Sequence, residues 1–175
     1  MAFDKLSGLP EWEDDEFDDE DNEGEEWKPK PTKEAAKAMY EQWKTVMIVL
    51  KGALGTTDFE EEEEEEKEDS FENDGFPSSY WKDHKAMIMG DAYQVAVKIK
   101  SSEAGLYMIR MENACLIRKN AQSIKSSMLT MIAEKVIEES HGMIIREEID
   151  KFRMLFRHWV STFERDEFED EWGLF

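Results

Sequence analysis

The chain has 175 residues, 40% hydrophobic and 37% charged, with a formal net charge of -21. This length supports one domain with a real core. The charge works against binding to DNA, RNA or anionic lipid, and favours solubility or basic partners.

Residues 1–31 hold 13 acids against 3 bases, 55–77 hold 12 against 1, and 165–175 hold 5 against 1, so the remaining chain carries +4. The pattern is a mildly basic body with three acidic appendages. Dense like charge with little apolar surface cannot offset its own ordering entropy, so a disordered N-terminal arm over 1–31 is expected. Within it, EWEDDEFDDEDNEGEEW (Glu11–Trp27) sets three aromatic rings among carboxylates. The start of the chain lacks a basic n-region and an apolar core, so no signal peptide is expected. No run approaches the roughly 20 apolar residues of a membrane span. Cys115 is the only cysteine and cannot form an intramolecular disulfide, which suits a reducing cytoplasm.

The first helix is predicted over 33–54. Ala36, Tyr40, Trp43, Met47, Leu50 and Leu54 step by four and three residues onto one stripe. Pro29 and Pro31 block helix before it, Thr32 is a candidate N-cap and Gly55 a C-terminal stop. Residues 55–77 contain seven consecutive glutamates followed by Asn73-Asp74-Gly75 and Pro77. They read as a disordered acidic linker, either a hairpin excursion or a crossover.

A second helix, 79–100, follows Ser78 and Ser79, either of which can cap. Trp81, Ile88, Ala92, Val95 and Ile99 share its face, and Gly90 inside it suggests a close helix crossing. A third helix is predicted over 103–139, with Tyr107, Arg110, Ala114, Ile117, Ala121, Ile124, Met128 and Met131 in line; His141-Gly142 should end it. The fourth, 143–165, lines up Ile145, Ile149, Phe152, Phe156, Trp159 and Phe163. Nothing alternates with period two over a useful length. The expected fold is all-α, a four-helix up-and-down bundle with coiled-coil-like packing and an acidic aromatic tail over 166–175.

RMENACLIRKNA (Arg110–Ala121) and EIDKFRMLFRHWVSTF (Glu148–Phe163), followed by DEWGLF (Asp170–Phe175), resemble a group of small uncharacterised helical proteins of the Bacteroidetes. The likeness covers roughly the second half of the domain. It implies a bundle fold and a bacterial cytoplasmic setting, and supplies neither an activity nor a catalytic residue.

Chemistry-bearing constellations are sparse. A calcium loop centred on Gly24 has Lys30 at its last position, and one centred on Gly75 begins with Ser70 and ends with Trp81, so neither fits an EF-hand. Glu138-Glu139-Ser140-His141 supplies one Glu-x-x-His, whereas a di-metal bundle needs two. Residues three before His84 and His158 are Trp81 and Leu155. Cys115 reads as a buried small hydrophobe. No phosphate loop or nucleophile elbow is present. No catalytic, cofactor-binding or metal residue is therefore assigned, and no cofactor is expected.

Polar residues interrupt the third stripe: Arg110, Glu112, Asn113 and Arg118, with Glu147, Glu148 or Arg153 on the last helix as candidate partners. An ion-paired cluster that fixes register is the leading reading; a ligand or partner pocket between helices is the alternative. A basic thread through Lys82, Lys85, Lys98, Lys100, Arg118, Lys119 and Lys125 is interleaved with acids and makes a poor nucleic-acid footprint. It could instead dock acidic segments. Trp12, Phe17 and Trp27 in the arm, and Trp172 and Phe175 in the tail, are candidate anchors for a partner. The tail could equally pack back on the bundle.

The expected function is protein–protein interaction or self-association by a non-enzymatic bundle. Alternatives are an acidic nucleic-acid mimic that binds a basic nucleic-acid-binding protein, and a metal-dependent four-helix bundle.

Overall fold

The computed structural model describes residues 3–12, 31–55, 76–103, 105–168 and 172–173. Four helices run α1 (Pro31–Leu54), α2 (Ser78–Lys100), α3 (Tyr107–Ala133) and α4 (Glu139–Ser161). Each packs on its neighbours in sequence, and α1 packs on α4, closing a ring without diagonal contacts. Cross-helix bonds show that neighbours are antiparallel. Thr32 Oγ1 donates to the Thr162 carbonyl, and Gln42 Nε2 to the Glu148 carboxylate, so α1 and α4 run oppositely. Asn113 with Ser102, and Asn120 with Gln94, do the same for α3 and α2. Helices α1 and α2 are thus adjacent and antiparallel.

The stripes supply the core. Tyr40, Trp43, Met47, Leu50, Ile99, Ile117, Ile124, Met128, Met131 and Trp159 are fully buried. Trp43 stacks obliquely on Phe152 at 4.6 Å and donates its indole N–H to the Ala92 carbonyl at 2.8 Å. Trp81, Tyr107, Phe156 and Phe163 lie on the predicted faces but near helix ends or edges, and are only half buried.

Several boundaries differ from the sequence expectation. Pro31 opens α1, where its missing N–H costs nothing, and Thr32 ties that end to α4 rather than capping it. Pro77, without a side-chain bond, takes the N-cap place before α2, so neither Ser78 nor Ser79 caps it. Gly90 has nothing within 4 Å of a Cβ built on it, which rules out a close crossing there. Cys115 is exposed rather than buried, because it sits one residue off the Ala114–Ile117 stripe.

The largest difference is the α3–α4 junction. Helix α3 stops at Ala133, not 139, and Gly142 lies inside α4, where its N–H bonds the Glu138 carbonyl. Lys135 takes the left-handed conformation (φ 58°) and produces the stop. Its N–H bonds the Ile132 carbonyl at 3.0 Å, and the Val136 N–H bonds Met131 at 2.8 Å, a Schellman pattern. A lysine there carries the left-handed penalty that glycine avoids, so Lys135→Gly should stabilise the domain by about 1 kcal/mol. Thermal melting followed by circular dichroism checks it; a lower midpoint would show that Lys135 makes compensating contacts.

Residues 3–12 depart from the expectation of a disordered arm. Asp4 accepts hydrogen bonds from the Ser7 and Leu6 amides, and the resulting turn seats Leu9 and Trp12 against the bundle. Hydrogen bonding from the Ser7 side chain first, and then from its amide, holds the Asp4 carboxyl below its ordinary value. Tyr40 donates its hydroxyl to the Pro10 carbonyl at 2.8 Å, and burial pushes its pKa up to about 12. Lys44 bridges Glu11 at 2.7 Å and Glu41 at 3.1 Å. Burial alone would lower the Lys44 pKa; the two carboxylates more than offset that and raise it. Two apolar or aromatic anchors, Leu9 and Trp12, and a lysine partner outweigh the ordering entropy for this short stretch. The remainder of the arm, 13–30, and the 56–75 linker lie outside the described residues.

A candidate docking groove between α3 and α4

Two outward rows share one spacing. On α3, Arg118, Gln122, Lys125 and Leu129 step by four, three and four; on α4, Arg146, Asp150, Arg153 and Arg157 do the same. That spacing keeps each row on one side of its helix, next to the core stripe. Antiparallel packing brings the rows face to face along an open groove of about 520 Å³. Its floor is Ala121, Ile149, Phe152 and Phe156; the small Ala121 side chain opposite two phenylalanines leaves the space.

The rim carries five cations, Arg118, Lys125, Arg146, Arg153 and Arg157, against one carboxylate, Asp150. Asp150 accepts from Lys125 at 2.5 Å and pairs with Arg153 at 3.3 Å. The Lys125 hydrogen bond, with Arg153 and Arg146 nearby, holds its carboxyl below the ordinary value. Arg146 donates to the Lys125 backbone carbonyl at 2.6 Å. Lys125 opposite Asp150 sets the helix register, and stepping seven residues each way sets Arg118 opposite Arg157. Neither arginine has a hydrogen-bond or ion-pair partner among the described residues.

The six-residue polar cluster expected between α3 and α4 is divided. Arg118 and Arg153 lie on the groove. Arg110 turns back to the α2–α3 turn, its guanidinium donating to the Ser102 and Glu103 carbonyls at 3.1 and 3.0 Å. Asn113 is buried there against the Ser102 hydroxyl. Glu112 is exposed. Glu148 faces α1, accepting from Gln42 at 2.7 Å and pairing with Lys151 on its own helix. Helices α2 and α1 were the missing partners, since a stripe defines which face is apolar but not which neighbour meets its edges. Arg146 and Arg157 escaped the sequence reading; the repeated four-three-four spacing was the available signal.

Glu148 gives a pH test. Hydrogen bonding from Lys151 and Gln42 holds its carboxyl below the ordinary 4.5, against the opposing effect of burial. A depressed folded pKa contributes stability above 4.5 that is lost as pH falls through the folded value. Glu148→Gln should therefore lower stability at neutral pH, and its deficit against the parent should shrink in acid. Urea melts at both pH values measure this; a deficit that does not change with pH would exclude the carboxylate as its source.

The proposed aromatic anchors also separate. Trp12 is 8% exposed, edge-on to Tyr40 at 5.3 Å with the Lys100 ammonium 4.4 Å from its ring centre. It docks on its own bundle. Trp172 is 87% exposed, whereas Phe17, Trp27 and Phe175 lie outside the described residues. At the start of the tail, Asp166 accepts the Tyr107 N–H at 2.8 Å and so caps α3, a role no local residue fills.

Among the described residues, no group of three or more His, Cys, Asp or Glu is placed to hold a metal. None of their helices is long and apolar enough to cross a membrane. No family model matches the chain, and neither does any curated protein or solved structure.

Proposed function

We propose that this protein is a non-enzymatic, cytoplasmic helical bundle that acts by protein–protein interaction, with the α3–α4 groove as its docking surface. The supporting observation is the groove itself: an apolar, phenylalanine-lined floor between rows in which Arg118 and Arg157 are left unpaired. The excess of cations along the rim favours a partner that supplies the missing anion. A single exposed cysteine is in keeping with a reducing compartment. The likeness of residues 110–121 and 148–163 to helical proteins of the Bacteroidetes is in keeping with a bacterial source.

The experiment is in-cell cross-linking of full-length protein, compared with the Arg118→Glu/Arg157→Glu variant. A protein captured by the parent, lost from the folded variant and reconstituted from purified components supports the reading. Identical capture by both proteins refutes it.

A further inference from the structure

Resting on that reading of the groove, we infer that its occupant is an acidic segment of a partner protein bearing an aromatic side chain. Arg118 and Arg157 grip its carboxylates while the ring packs on the half-buried Phe156.

Charge is the first argument. The chain has 43 acids and only 22 bases, yet five cations and one carboxylate line this groove. Elsewhere, polar side chains that meet between elements are complementary: Lys33 with Glu103 at 3.0 Å, Gln42 with Glu148, Asn120 with Gln94. Asp150 is already shared between Lys125 and Arg153. Arg118 and Arg157 thus present planar donor forks with nothing to bind, the geometry that suits a carboxylate bidentately.

Shape is the second. From Arg118 to Leu129 the groove follows α3 for about 16 Å, the length of about five extended residues. It is open along its side, which suits a strip of peptide better than an enclosed small molecule. Phe156, half buried beside the core residue Phe152, offers ring surface to an aromatic anchor.

The third argument is what does not occupy it. Of the acidic residues outside the helices, Glu11 is engaged on Lys44 and Asp166 on the Tyr107 amide. A second copy, which brings another -21, or a nucleic acid is repelled far more strongly by the chain's field than a short acidic segment with a few carboxylates.

The test titrates a fluorescein-labelled heptapeptide that does not occur in this chain, Glu-Asp-Trp-Asp-Glu-Phe-Glu, with the full-length protein and reads anisotropy. Saturable binding is expected, weakened about tenfold or more by Arg118→Gln or Arg157→Gln. Arg118→Lys should fall between, because it keeps charge and loses the fork. A peptide with both rings replaced by alanine should bind comparably weakly. Circular dichroism checks that these surface variants keep their helices.

No saturation up to about 1 mM peptide overturns the inference, as does affinity indifferent to Arg118 and Arg157. Equal competition by inorganic phosphate, by short DNA or by the ring-free peptide would reduce the site to a general anion site, and would also overturn it. So would a concentration-dependent oligomer of the full chain that Arg118→Glu/Arg157→Glu abolishes, since the occupant would then be a second copy. If a cross-linked partner depends on the groove while the peptide does not bind, the docking surface stands and only its acidic-aromatic occupant is wrong.

Discussion

Trp43→Ala should lower the unfolding free energy by about 3–5 kcal/mol, a large share of what a domain of this size has. Trp43 is fully buried, packs against Phe152 at 4.6 Å and donates to the Ala92 carbonyl of α2 at 2.8 Å. Alanine removes the ring that fills the space between α1, α2 and α4, and a packed helical core only partly collapses around such a void. Trp43→Phe keeps an aromatic body but loses volume and the indole bond, worth about 1 kcal/mol. Trp159 provides the internal comparison. It is equally buried, but its indole nitrogen has no hydrogen-bond partner among the described residues. Trp159→Phe removes an unsatisfied buried donor, which offsets part of its volume loss. The expected order of cost is Trp43→Ala, then Trp43→Phe, then Trp159→Phe, measured by urea denaturation with far-ultraviolet circular dichroism. A greater cost for Trp159→Phe than for Trp43→Phe would refute the role given to the α1–α2 indole bond.

Gly142→Ala is the second test, and its sign opposes helix propensity. Alanine is favoured over glycine inside a helix by about 1 kcal/mol. At this position a Cβ falls 2.5 Å from Ile132 Cδ1, 2.8 Å from its Cγ1 and 3.1 Å from Ile137 Cδ1. Overpacking of this kind costs about 1–3 kcal/mol, so the net effect should be destabilising by up to about 2 kcal/mol. Ile132→Ala removes both clashing atoms of that side chain. The double variant should therefore be more stable than the sum of the two single effects, the coupling expected of residues in contact. Chemical denaturation of all four proteins completes the cycle. A Gly142→Ala variant more stable than the parent would mean that the α3–α4 junction relaxes without cost.

Gly142 also marks where local sequence logic gave out. Glycine after a long apolar stripe reads as a helix stop, and His141-Gly142 sits where such a stop is wanted. The stop occurs earlier, at Lys135, because a lysine can adopt the left-handed conformation when the Met131 and Ile132 carbonyls bond the turn. Gly142 is needed for close approach instead. The Asp166 cap on α3 is a contact made by a distant part of the chain, beyond the reach of any local pattern. The groove was half legible. Arg118 and Arg153 were singled out, but their neighbours Arg146 and Arg157 were not, and Arg110, Asn113 and Glu148 were assigned to the wrong interface.

The sequence by itself determined the number of helices, their apolar faces and the segregation of charge. Period-3.6 burial and like-charge density are local properties, read from residue spacing alone. Only the tertiary structure decided which helices meet, where α3 yields to α4, that the 3–12 turn packs, and that two unpaired arginines line one groove. Those outcomes depend on register between antiparallel helices, where a side chain's partner is fixed by packing and not by its distance along the chain.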